Sequence, residues 1–339
     1  MLKRDNWFLN YQDTIDGMKG QRVLEYRTPF FDIQDFDNKS VLDIGCNLGQ
    51  MCDYAVMCNA KCVVGIEYDK TVVDLANKRN KHDNIRYICD DIDNYFLYTN
   101  MDEKFDTILL LSVIETKELT NSMGMLSKLS SRCQTMYLEG HVNSKYENLM
   151  SYLLKYTEFT NIEFKGFQYD NKELQEKDLK RHVIRCSKFC YNFDNVIEKI
   201  YSLMNQNINH KIAISGRGGV GKTTLRKNLL IFLNKNGFNF DLKDIDTENN
   251  ILFHDEINNV MVIDDIDGYK CKDYIENKKL KVIYFDYRSI EYMKNYTTTI
   301  FYIKSSSNSI LKRPYEYSLL RSPCDNIYSV YNIYHVNSY

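Results

Sequence analysis

From Ser40 onward, short apolar runs alternate with stretches of helical periodicity. The runs are Ser40–Ile44, Cys62–Ile66, Ile85–Cys89, Thr107–Leu111 and Thr135–Leu138, each rich in Val, Ile, Leu or Tyr. Their spacing leaves room for one helix between successive runs. That rhythm predicts β-α-β units around a buried parallel sheet. Two further strands are expected at Asn161–Phe167 and His182–Ser187, with the charged stretch Lys172–Lys180 between them as a solvated loop or helix. Residues 191–208 predict a helix whose Val196, Ile200, Tyr201 and Met204 share one apolar stripe. A second β-α-β series follows at Lys211–Ser215, Phe240–Ile245, Val260–Ile263, Lys281–Phe285 and Thr299–Ile303. The expected class is therefore α/β, with a Rossmann-like first domain over 1–190, a helical connector at 191–208 and a second α/β domain over 209–339. Residues 1–35 are polar with interleaved aromatics (Trp7, Phe8, Tyr11, Tyr26, Phe30, Phe31) and read as short helices leading into the first core.

Composition narrows the class without naming a chemistry. A length of 339 residues allows two cores of ordinary size, and 44% hydrophobic with 27% charged residues describes a soluble globular chain. The net charge of −2 does not indicate a chain-wide nucleic-acid surface, though a local basic groove is compatible with it. No apolar run is long enough for a membrane span, and Met1–Asn6 has no apolar core of a secretory signal. The ten cysteines are scattered, with no C-x-x-C pair, and several (Cys46, Cys62, Cys89) fall in apolar runs. Reduced thiols in a cytoplasmic protein are the expectation. The bias toward Asn, Lys, Ile and Tyr, with 27 Tyr and three Pro, is that of an AT-rich genome such as a virus, phage or microbe can carry.

Candidate chemistry begins at Asp43-Ile44-Gly45-Cys46-Asn47-Leu48-Gly49, between the first run and a helical stretch. Gly45 and Gly49 let the backbone turn tightly and approach a ligand. A dinucleotide fingerprint would need its second glycine at Asn47, and Asp43 would face a pyrophosphate with like charge. A zwitterion carrying a positive sulfonium suits that carboxylate better. The stretch resembles motif I of class I S-adenosylmethionine-dependent methyltransferases. Val63–Glu67, Tyr87–Ile92 and Phe105–Glu115 resemble the later motifs in order, and the resemblance covers about residues 35–190. It implies that Asp43, Gly45, Asn47 and Gly49 hold S-adenosylmethionine, that Glu67 takes the ribose hydroxyls and that Asp90 meets the adenine amino group. Glu115 and His141 are candidate bases near the methyl-transfer site. Trp7–Gln12 with Gly20 and Arg27 is similar to a lead-in of transferases related to the tRNA wobble-uridine modification enzymes. No D-P-P-Y or N-P-P-Y run of the amino-methyltransferases is present.

The second motif, Gly216-Arg217-Gly218-Gly219-Val220-Gly221-Lys222-Thr223, matches G-x-x-x-x-G-K-[ST] in full. It sits between an apolar run and a helical stretch, the context a P-loop requires. Backbone N–H groups of such a loop, from Gly216 through Gly218, Gly219, Val220 and Gly221 to Thr224, would cradle phosphates. Lys222 would reach the β- and γ-phosphates and Thr223 would ligate Mg²⁺. Val260–Asp265 looks like the acidic Walker B strand, with Asp264 holding the metal and Asp265 polarising a nucleophile. Asp244 and Asp246 are candidates for acceptor binding, and Arg288, Lys312, Arg313 and Arg321 for a cationic lid.

The sequence thus predicts a cytoplasmic bifunctional enzyme. Methyl transfer from S-adenosylmethionine is joined to ATP- and Mg²⁺-dependent phosphoryl transfer of kinase type, on a nucleotide, nucleic acid or small metabolite. The alternative is a methyltransferase gated by a nucleotide-sensing P-loop module with little turnover. Neither acceptor is legible in the sequence.

Overall fold

The computed structural model describes residue 12 and residues 20–92, 95, 103–114, 122–142, 144–188, 192–206, 210–216, 222–242, 252–263, 280–285, 299–304 and 332–337. The chain divides into two compact units, Met1–Phe159 with Glu163–Lys188, and Thr160–Ile162 with Phe189–Tyr339. Among the described residues no helix is long and apolar enough to cross a membrane.

The first unit is built on β1 (Ser40–Ile44), β2 (Cys62–Glu67), β3 (Ile85–Cys89), β4 (Phe105–Leu111), β5 (Cys133–Glu139), β6 (Asn161–Gln168) and β7 (Arg181–Ser187). Helices α1 (Gln50–Met57), α2 (Lys70–Arg79), α3 (Ser122–Arg132) and α4 (Tyr146–Tyr156) alternate with them. The strand order is β3-β2-β1-β4-β5-β7-β6. β1 pairs in parallel with β2 and β4, β2 with β3, and β4 with β5. β7 runs antiparallel to β5, with Glu139 opposite Val183. The reversal was not expected from the apolar pattern, because β7 is buried on both faces like a parallel strand (Val183, Ile184 and Cys186 are all buried). One face of the sheet joins Val41, Val63, Ile85, Leu109, Tyr137 and Val183 to Met51 and Ala55 of α1, Ala76 of α2, and Phe31 and Phe36 of the lead-in.

The lead-in is tied down by polar contacts as well as by those rings. Arg185 of β7 grips Asp35 with two bonds of 2.7 and 2.9 Å. The Tyr137 hydroxyl donates to the same carboxylate at 2.7 Å and accepts from the Asp32 amide at 2.9 Å. Lys165 of β6 reaches Asp32 at 2.8 Å. This brings residues from four distant stretches to one buried point.

The second unit holds β8 (Lys211–Gly216), β9 (Leu252–Asp255), β10 (Val260–Ile263), β11 (Lys281–Phe285), β12 (Thr299–Lys304) and β13 (Asn332–Asn337), with α5 (Phe193–Met204) and α6 (Lys222–Lys235). Its order is β13-β12-β8-β11-β10-β9. All pairs are parallel except β9 with β10. The apolar stripe of α5 (Val196, Ile200, Met204) packs with Leu225, Leu229 and Leu233 of α6 onto Ile212, Ile214, Val262 and Ile283. The helix expected as a connector is therefore part of this core. Asn192 caps its start by accepting from the Asn195 amide at 2.8 Å, and the Lys281 ammonium donates to the Met204 carbonyl at its end.

One expected strand is absent over its described part. Phe240–Leu242 is irregular, and 243–245 lie outside the described residues. The Asn234 side chain takes both backbone groups of Phe240, accepting from its amide and donating to its carbonyl at 2.8 Å each. An amide side chain thus occupies the hydrogen bonds a ladder would need. β9 and β13 were not read from the sequence.

Candidate functional site

The glycine loop of the first unit begins where β1 ends. Its path is set by three residues with left-handed backbone: Gly45 at φ 70°, Asn47 at φ 50° and Gly49 at φ 87°. Glycine takes this conformation freely, and asparagine tolerates it better than most side chains. Space enforces the choice too. A Cβ on Gly49 would fall 1.9 Å from the Tyr87 hydroxyl, and one on Gly45 would fall 2.8 Å from Cγ2 of Val113. Gly45 is nonetheless exposed, so its backbone forms an open floor between β1 and the residues after β4. The loop is fastened to β2 by bonds from the amides of Gly45 and Cys46 to the Ile66 carbonyl, at 2.9 and 3.1 Å.

Glu67 ends β2, with Cys89 of β3 opposite in register. One carboxylate oxygen accepts from the Asn47 amide at 3.2 Å; the other accepts from the Tyr68 and Asp69 amides at 3.0 and 3.3 Å. Burial pushes its carboxyl above the usual range, and those amides pull it back only in part. Glu67 therefore joins the glycine loop to the turn that opens α2. Replacing it by Ala strands three backbone donors, and a loss of about 2 kcal/mol in the stability of the first unit is expected. Glu67→Gln keeps one acceptor oxygen and should lose less than half of that. Chemical denaturation of both variants checks the order; equal stability of Glu67→Ala and wild type would remove the tie.

Asp43 lies one residue before the end of β1, opposite Gly65. It is buried, and Cys52 of α1 donates its thiol to it at 3.5 Å. Burial pushes its carboxyl up to about 7, against the opposing pull of Arg27 and the Cys52 thiol. Asp90, just past β3, is half-buried, and one of its oxygens accepts from the Asp91 amide at 2.9 Å. Asp43, Gly45, Asn47, Gly49, Glu67 and Asp90 therefore gather at the C-terminal ends of three adjacent strands, where open α/β sheets bind ligands. Tyr68 stands beside them, 59% exposed.

A charged network behind this cleft escaped the sequence reading. Glu139, the last residue of β5, is completely buried. It binds the Arg22 guanidinium, lies 4.0 Å from that of Arg27 and accepts from the Ser112 hydroxyl. Arg22 also holds Asp170 at 2.9 Å, and Arg181 holds the same carboxylate at 3.0 Å. Arg27 donates to the Gln50 side chain at 2.7 Å, and Gln50 donates to the Arg22 carbonyl at 2.8 Å. Burial alone would raise the Glu139 carboxyl; Arg22, Arg27 and Arg181 outweigh it and hold it below the usual range. Asp170 is held low in the same way by Arg22 and Arg181. The partners lie up to 148 residues apart, so no local spacing announces them.

Other expected site residues fall differently. His141 is half-buried two residues after β5, and Glu115 lies outside the described residues. In the second unit Gly216 ends β8, and Lys222, Thr223 and Thr224 form the first turn of α6. Gly218, Gly219, Val220 and Gly221 lie outside the described residues, as do Asp244, Asp246, Asp264, Asp265, Arg288, Lys312, Arg313 and Arg321. Among the described residues no cluster of three His, Cys, Asp or Glu has metal-binding geometry.

Residues 41–134 match the family model of the methyltransferase domain. A protein of Methanocaldococcus jannaschii, the uncharacterized protein MJ0284, is 32% identical over 100 residues, which cover 28% of this chain and 43% of that protein. The match thus spans less than half of that relative's length. Solved structures similar to the chain include the magnesium protoporphyrin IX methyltransferase of Synechocystis PCC 6803 with bound SAM, at 15% identity and a TM-score of 0.37 over 46% of this chain and 73% of that one. Another is the bifunctional kinase-methyltransferase WbdD, at 17% identity and a TM-score of 0.42 over 53% of this chain and 44% of that one. The family match runs from β1 into the start of β5, so it lies wholly within the first unit and includes the glycine loop, Glu67 and Asp90.

Proposed function

We propose that the first unit binds S-adenosylmethionine through Asp43, Gly45, Asn47, Gly49, Glu67 and Asp90 and transfers its methyl group to an acceptor docked beyond β4 and β5. The observation that carries this reading is the exposed, left-handed Gly45, whose missing side chain leaves open backbone facing Val113. These residues fit the cofactor. Carboxylates at the ends of β1 and β2 suit its cationic amino-acid end and its ribose hydroxyls, and Asp90 suits the adenine edge. Bound S-adenosylmethionine supplies a methyl group already activated on a sulfonium. The protein's part is to align the acceptor and exclude water. Incubating the protein with methyl-labelled S-adenosylmethionine and separated RNA, DNA and metabolite fractions tests the reading; label in no fraction, with no cofactor binding, would end it.

Asp43 makes cofactor binding depend on pH. Below about 7 its carboxyl is protonated in the free protein, so it meets an ammonium group as a neutral acid. Binding that prefers the carboxylate must then release a proton. The affinity for S-adenosylhomocysteine should fall about tenfold per pH unit as pH drops below 7 and level off above it. Asp43→Asn should flatten the profile. Calorimetry at several pH values checks it, and a flat wild-type profile would take Asp43 out of the linkage.

For the second unit we propose ATP·Mg²⁺ binding at the glycine-rich motif between β8 and α6. The support is the full loop motif together with a strand ending at Gly216 and a helix opening at Lys222. Thr223 is exposed in the first helical turn, a position that fits a metal ligand. β11 lies between β8 and β10, so Asp264 would follow a strand about 10 Å from the loop strand, a span that suits holding the metal through water. Phosphoryl transfer to an acceptor is the leading use. Slow turnover that gates the methyltransferase is the second, and acceptor-dependent ATP consumption distinguishes them.

A further inference from the structure

Ser112 is the first residue after β4, and its backbone is left-handed at φ 58°. A serine does not adopt that conformation without support. Three hydrogen bonds supply it. The Ser112 amide donates to the Glu139 carbonyl at 2.9 Å. Its hydroxyl donates to the Glu139 carboxylate and accepts from the Arg181 guanidinium at 2.8 Å. Glu139 and Arg181 are themselves fixed, because Arg22 and Asp170 close the ring around them. The next residue, Val113, points Cγ2 at the space a side chain on Gly45 would fill. The turn at Ser112 therefore decides where Val113 stands relative to the glycine loop.

We propose that Ser112 is a positioning residue, whose hydroxyl, gripped by Glu139 and Arg181, holds a left-handed turn that sets Val113 against Gly45 as the wall of the cofactor cleft. The proposal rests on the S-adenosylmethionine reading of that cleft. It explains why a buried ionic network reaches out to one hydroxyl beside the glycine loop. The network's energy is directed at a backbone conformation, and no member of it needs to touch the cofactor.

The test separates the hydroxyl from the conformation. Ser112→Ala keeps a Cβ that opposes positive φ and removes the grip. Ser112→Gly also removes the grip but needs none, because glycine takes this conformation freely. With S-adenosylhomocysteine as the probe and the full chain in the calorimeter, Ser112→Ala should bind about tenfold more weakly than wild type, and Ser112→Gly within about threefold of it. Arg181→Lys, which keeps the charge but loses the planar fork, should weaken binding in the Ser112 background and have little effect in the Ser112→Gly background. Equal losses in Ser112→Ala and Ser112→Gly, or none in either, would overturn the proposal. So would an Arg181→Lys effect that is the same in both backgrounds, and that comparison decides the matter should Ser112→Ala fail to fold. Absence of binding by the wild type would instead reject the cofactor reading beneath it.

Discussion

Replacing Glu139 by Ala is expected to cost the first unit about 3–5 kcal/mol, the usual penalty for removing one partner of a buried ion pair. The carboxylate is completely buried, and Arg22 and Arg27 beside it are 2% and 1% exposed. Once it is gone, Asp170 is the remaining carboxylate in a network with three guanidiniums, and the Ser112 hydroxyl keeps as acceptor only the Gly140 carbonyl, at the longer distance of 3.3 Å. The guanidiniums left behind are themselves buried and poorly placed to be solvated. The exposed pairs, such as Lys70–Asp74 at 74% and 62% side-chain exposure, should contribute little by comparison. Glu139→Gln keeps the shape and the acceptor for Ser112, so it should lie between Ala and wild type. The pH dependence has a definite sign. Glu139 and Asp170 have lowered values in the folded unit, so their contribution is present above the unfolded carboxyl range near 4 and is lost as pH falls through the folded values. Urea unfolding at pH 7 and pH 3 measures both effects. A loss below about 1 kcal/mol in Glu139→Ala at pH 7 would mean that the network is only solvated surface charge.

The contrast between that network and the glycine loop shows what a sequence displays and what it hides. The loop was legible because its constraints are local. Gly45, Asn47 and Gly49 recur at alternate positions, and the structure places each in the left-handed region. The strands of the first unit were legible for a similar reason. β1, buried along nearly all its length, is a continuous apolar run, β3 at the sheet edge keeps its apolar residues on the covered side, and both have the bounds the pattern predicts. The direction of β7 was hidden, because a strand buried on both faces looks the same whichever way it runs. Over Phe240–Leu242, the described part of the strand expected there, Asn234, six residues before Phe240, supplies from a side chain the hydrogen bonds a ladder would need. Arg22, Ser112, Glu139, Asp170 and Arg181 were hidden because their meaning lies in one another. Each is an ordinary polar residue in its own stretch, and only the topology brings them together at the ends of β4, β5 and β7. The second β-α-β series was legible in β8, β10, β11 and β12, while β9 and β13 mix polar residues among their apolar ones and carried no comparable pattern.

Lys222→Ala should abolish the stabilisation of the protein by millimolar ATP·Mg²⁺ and lower any phosphate transfer or release by a factor of about a hundred to a thousand. A phosphate chain bound at the start of α6 meets the partial positive end of the helix, but that dipole is worth only about half a charge. A full cation at the first helical position supplies the rest. It counts most where negative charge spreads over the transferring group, because a preorganised donor in a site shielded from water is worth about 3–4 kcal/mol there. The apolar packing of the helix does not depend on it. Lys222 is only partly buried, whereas the core side of α6 is carried by Leu225, Leu229, Leu230 and Leu233, all completely buried. The melting temperature of the ligand-free variant should therefore match the wild type. Lys222→Arg should recover less than half of the lost stabilisation, because the planar fork cannot place its charge where the compact ammonium stood. Thermal shifts with and without ATP·Mg²⁺, together with phosphate release, check each point. If the wild type itself gains no stability from ATP·Mg²⁺, the loop does not bind nucleotide and both uses proposed for the second unit fall. If the shift is present and Lys222→Ala removes it, yet no acceptor supports turnover, the gating module becomes the better account, with the nucleotide acting on the methyltransferase through its occupancy alone.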